Sequence, residues 1–142
     1  MNTYRDPSRA YAENSVLTAP PERLVVMLYD GAGRFLARAA AATREGDAAA
    51  AGTALGRAGA ILDELLATLD FEAGEIAAHL GDIYLFCNRE LLRAQIDRDA
   101  KRIERVAVLL GGLRESWATL ASAPAAPGAG AGRRTALGDA VA

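Results

Sequence analysis

The chain has 142 residues, 51% of them hydrophobic and 24% charged, with a formal net charge of -2, which suits one packed domain and offers no positive field for nucleic acid or anionic lipid. Cys87 is the only cysteine, so an intramolecular disulfide is excluded, and the polar N-terminus lacks the apolar stretch of a secretory leader. No uncharged apolar run approaches the ~20 residues that cross a bilayer, so the expectation is a cytoplasmic protein without membrane insertion.

Residues 1–19 carry few periodic apolar positions and read as a mobile N-terminal segment. From residue 20 to 121, apolar residues recur at spacings of three and four, as on helices that bury one face. The first segment places Leu24, Leu28, Gly31, Phe35 and Ala42 on that face, widened by Val25, Ala32, Leu36 and Ala39. The second reads Ala51, Leu55, Ala58, Leu62, Leu65, Leu69. Ile76, Leu80, Ile83, Cys87, Leu91 and Ala94 form the third, and Ile103, Val106, Leu110, Leu113, Trp117 and Leu120 the fourth.

Punctuation falls between these stripes. Gly46 is placed to end the first helix and Asp47 to cap the second; residues 70–74 break before the third, and Asp97 or Asp99 is placed to cap the fourth. Pro124 bars continuation, and residues 122–142, rich in Pro, Gly and Ala, read as a disordered tail. Short connections make neighbours antiparallel. The fold expected is all-α, an antiparallel up-down-up-down four-helix bundle over residues 20–121 with flexible N- and C-terminal tails. Glycines inside the helices lower their stability by about 1 kcal/mol each relative to Ala. Close helix approach accounts for the buried ones among them.

Chemistry is sparse. A catalytic or metal site needs several convergent polar groups, whereas the chain offers one His, one Cys and carboxylates that fall mainly off the buried stripes, and His79 reads as a partly buried side chain at the edge of the third stripe. Cys87 lies on a core stripe and behaves as a small hydrophobe. The segment Gly31-Ala32-Gly33 follows no strand and lacks the remainder of a phosphate or dinucleotide loop. Arg98, Lys101, Arg102 and Arg105 are interrupted by acids and read as a solvated helix face. The expectation is no enzyme, no metal and no cofactor.

The third segment carries more apolar surface than a bundle requires. At about 100° per residue, Leu85, Leu92 and Ile96, together with Ala78, fall on the side away from Ile76 and Cys87. This second stripe, flanked by Tyr84 and bordered by Ile61 and Leu65, suits an amphipathic helix from a partner. The alternative is a homodimer interface, making the chain an oligomerisation or adaptor module.

Tyr11-Ala12, Val16-Leu17-Thr18-Ala19 and the run from Leu24 to Ala32 resemble the opening of the flagellar secretion chaperone family FliS. The likeness continues through Glu45-Gly46-Asp47, Leu69-Asp70, Gly74-Glu75-Ile76-Ala77, Leu80, Tyr84, Leu91-Leu92, Ala94, Leu109-Leu110 and Trp117. One departure is Ala73-Gly74, where the family usually has two glycines. The resemblance implies an antiparallel bundle that binds the C-terminal region of flagellin, prevents its premature polymerisation in the cytoplasm and assists delivery to the export apparatus. It also implies that flagellin helices occupy outer apolar grooves, here the stripe with Leu85, Leu92 and Ile96. The N-terminal stretch containing Tyr11, Val16 and Leu17 would cover that surface until displaced.

Overall fold

The computed structural model describes residues 21–122, so the expectations for the two tails, with Tyr11 and Val16, lie outside the described residues. Four helices fill that span: α1 (Pro21–Arg44), α2 (Ala48–Ala67), α3 (Glu75–Asp97) and α4 (Ala100–Ser122), with a 3-10 turn at Phe71–Ala73. Among the described residues there is no strand.

The helix ends follow local chemistry. Gly46, at φ +76°, reverses the chain after α1, and the Asp47 N–H donates to the Ala42 carbonyl across the turn. The Asp47 carboxylate then accepts from the Ala50 N–H at 3.0 Å and caps α2. Ahead of α3, Asp70 accepts from the Glu72 N–H, and Gly74 takes φ +141°, a conformation that side chains disfavour. The glycine that matters in Ala73-Gly74 is therefore the one retained. Arg98 ends α3 at φ 52°, and the Asp99 N–H reaches back to Ala94. Asp99 also accepts from the Arg102 N–H at 3.1 Å, so it caps α4, while Asp97 is the last residue of α3.

Contacting residues run in opposite order along neighbouring helices. On the α1/α4 seam Arg44 pairs with Glu104 at 2.7 Å and Asp30 with Arg114 at 2.9 Å. On the α2/α3 seam, Gly52 approaches Gln95 and Gly59 approaches Asn88. The core closes between all four helices on Tyr29 and Leu36, Leu55, Leu62 and Leu65, Tyr84 and Leu91, and Ile103, Leu110 and Trp117. Trp117 thus takes its expected core place.

Two stripes are rotated from their expected phase. In α1 the buried line is Val25, Tyr29, Ala32, Leu36 and Ala39, whereas Leu24, Leu28 and Phe35 are half-buried. This helix packs against both α2 and α4, so its apolar arc is wide and its centre is not marked by the largest aliphatics. In α3 the buried line runs through Ala77, Leu80, Tyr84, Cys87, Leu91 and Ala94, while Ile76 is exposed in the first turn. His79 is exposed rather than partly buried.

Tyr84 explains the α3 rotation. Its hydroxyl meets that of Tyr29 at 2.6 Å, and each phenol supplies the other's buried hydrogen bond. With its polar atom satisfied, a tyrosine is as good a core residue as a leucine, which period and hydropathy alone do not reveal.

Candidate functional site

Side-chain satisfaction sorts the expected contact residues of α2 and α3 into two groups. Tyr84, expected at the flank of an outer stripe, is 1% exposed and belongs to the core. Leu65, expected to border that stripe, is fully buried. Ile61 is half-buried and turned to the other side of α2: its Cδ1 lies 3.2 Å from where a Cβ on Gly31 of α1 would stand. These three residues do not join an outer surface on α3.

Leu85, Leu92 and Ile96 do remain outside, at 45%, 61% and 68% exposure. With about 100° per residue, they span roughly 40° of α3 and stand some 130° round from the centre of its buried face. Asn88 and Gln95 fix which way they turn. Asn88 Nδ2 donates to Asp63 Oδ1 of α2 at 3.0 Å, and Gln95 Nε2 lies 3.2 Å from the Cβ position of Gly52. The stripe therefore forms the outer lip of the α2/α3 seam rather than the back of the helix.

The facing wall of α2 carries Gly52, Gly56 and Gly59. A Cβ at Gly52 or Gly59 would press on Gln95 or Asn88, whereas one at Gly56 would meet nothing within 4 Å. A glycine wall beside protruding leucines gives an open trough with apolar knobs on one side. Large aliphatic side chains of an incoming helix would fill such space.

Other apolar residues are exposed outside this stripe. Phe86 is exposed on α3, and Val108 and Leu109 on α4. Phe86 lies on the flank of α3 that Glu90 marks by its bond to Arg102 of α4, at 3.0 and 3.1 Å. Their only sequence signal was a break in the polar face of each helix.

The remaining groups suit packing better than chemistry. A groove of about 730 Å³ between α1 and α4 is walled by Gly33, Ala37, Ala41 and Val108, with the Arg44–Glu104 pair at one end. Burial, and then the charge of Glu90, push the Cys87 thiol up to about 11, so it stays protonated at neutral pH. Burial foremost, and then the charge of Tyr84, push the Tyr29 phenol far above its ordinary value. Among the described residues no group of His, Cys, Asp or Glu is arranged to hold a metal ion, and no helix is long and apolar enough to cross a membrane.

A family model described as Flagellar protein FliS matches residues 4–124. A flagellar secretion chaperone FliS of Salmonella typhimurium is 43% identical over 115 residues, covering 77% of this chain and 85% of the relative. The FliS proteins of Campylobacter jejuni and Bacillus subtilis are 37% and 34% identical, over 76% and 80% of this chain and 85% and 84% of their own lengths.

Proposed function

Because the chain belongs to the FliS family of flagellar secretion chaperones, we propose that it binds the C-terminal helical region of flagellin along the α2/α3 trough. One observation carries this reading: Leu85, Leu92 and Ile96 stand exposed in a line beside the glycines of α2, although the core is closed without them. Completing the burial of each half-exposed aliphatic side chain is worth about 1 kcal/mol. Together they can hold one apolar helical face. Flagellin bound there would be unable to use that face for self-assembly, and it would travel from the cytoplasm to the export apparatus as a soluble complex. Tyr11 and Val16, which precede α1, are candidates to cover the trough before the client arrives. None of this requires catalysis, in keeping with relatives named as secretion chaperones.

Sedimentation of the purified chain with a C-terminal flagellin fragment tests the reading. The expected result is a soluble heterocomplex and suppression of flagellin polymerisation. A tight homodimer that ignores flagellin would instead make the exposed stripe a self-interface.

A further inference from the structure

The outer flank of the α1/α2 seam is built unlike the other seams. Phe35 of α1 is half-buried there, and two arginines from different helices stack on its ring. The Arg38 guanidinium carbon lies 5.4 Å from the ring centroid and that of Arg57 lies 6.0 Å away. Arg34 adds a third cation one turn away, its Nη2 3.7 Å from the Cβ position of Gly31.

At the α1/α4 and α3/α4 seams an arginine reaches across to a carboxylate, as in Arg44–Glu104, Asp30–Arg114 and Glu90–Arg102. Among the described residues, Arg34, Arg38 and Arg57 have no such partner within 4.0 Å. Two like charges gathered on one ring repel each other, and cation–π attraction of about 0.5–1 kcal/mol at an exposed site offsets that only in part. A stacked guanidinium still has its in-plane N–H donors free, arranged as forks that match carboxylates. The component that would complete this arrangement is a pair of acids.

We infer that the α1/α2 flank centred on Phe35 is a docking surface for an acidic segment of a protein partner, two of whose carboxylates engage Arg38 and Arg57. Acids one turn apart on a helix, about 5–6 Å between Cβ atoms, have the spacing to reach both forks. Charge complementarity selects this occupant. A nucleic acid would need an extended basic track, which three arginines on a chain of net charge -2 do not supply. The flank lies on the side of α2 opposite the trough of Leu85 and Leu92, so a partner could dock here with that trough occupied.

The test titrates the full isotopically labelled chain with a helix-forming peptide bearing two Glu residues one turn apart, and with its Gln counterpart. Amide shifts are expected around Arg34, Arg38 and Arg57 with the Glu peptide alone, weakening at high salt. Arg38→Gln with Arg57→Gln should weaken binding at least about tenfold with helicity unchanged, and Arg38→Lys with Arg57→Lys should fall between, having charge but no fork. Equal shifts with both peptides, shifts confined to other faces, or full binding by the Lys variant would overturn the proposal. So would an oligonucleotide or inorganic phosphate that moves the same amides at lower concentration.

Discussion

Tyr29 and Tyr84 show at single-residue scale how a polar atom decides what enters the core. Each is buried, and the two hydroxyls share a bond of 2.6 Å, so the energetics belong to the pair. Tyr84→Phe takes away the Tyr29 hydroxyl's partner at 2.6 Å, leaving the Trp117 indole beside it, and is expected to cost about 1 kcal/mol. Tyr29→Phe should cost a similar amount. The double Phe variant should be more stable than the sum of those two losses predicts, because it leaves no phenol without the other. Urea unfolding of the four proteins checks this; strict additivity would mean the hydroxyls do not interact. The same bond is why Tyr84 could be mistaken from sequence for a client contact. An amphipathic residue reads as a surface residue until its partner 55 positions away is known.

At the scale of the helix, two chain reversals have the same backbone form with different residues at the left-handed position. Gly46 after α1 holds φ +76° without strain, whereas Arg98 after α3 holds φ 52° with a side chain present. A left-handed non-glycine residue costs roughly 1–2 kcal/mol. Arg98→Gly should therefore stabilise the protein by about 1 kcal/mol, and Gly46→Ala should destabilise it by a similar amount. Thermal melts with opposite shifts check the pair; shifts of one sign would contradict the account of these turns. Helix number, breaks and caps were legible because they depend on neighbours in sequence: Gly46, Asp47, Asp70 and Asp99 act within a few residues of themselves. The rotation of α1 was not, because it depends on how many neighbours that helix has, and the rotation of α3 was not, because it depends on the bond between Tyr84 and Tyr29. A single-stripe reading makes Leu24, Leu28 and Ile76 the obvious core choices, and it has no means of preferring Tyr29 or Ala77. Of the helix-interior glycines, Gly52 and Gly59 are explained by the close α2/α3 approach, and nothing in the structure explains Gly33, Gly111 and Gly112, whose Cβ positions meet no neighbour.

At the scale of the whole molecule, the bundle encloses its core without drawing on every apolar residue it carries. Leu85, Leu92 and Ile96 were legible as surplus, since a helix serving only the core would be polar there. Their neighbours were not, because Ile61 turns to α1 and Leu65 to the core, which the spacing of apolar residues on α2 does not distinguish from a place beside the stripe. The central claim is that the trough holding Leu85 and Leu92 receives flagellin while contributing little to folding. A surface substitution usually changes stability by within about 0.5 kcal/mol, whereas an unpaired charge buried in a helix-binding groove costs several times that in affinity. The measurement is circular dichroism and flagellin binding on one protein carrying Leu85→Asp and Leu92→Asp. The account predicts native helicity, a cooperative melt close to that of the parent chain and no soluble complex with flagellin; undiminished binding in a folded variant would contradict it.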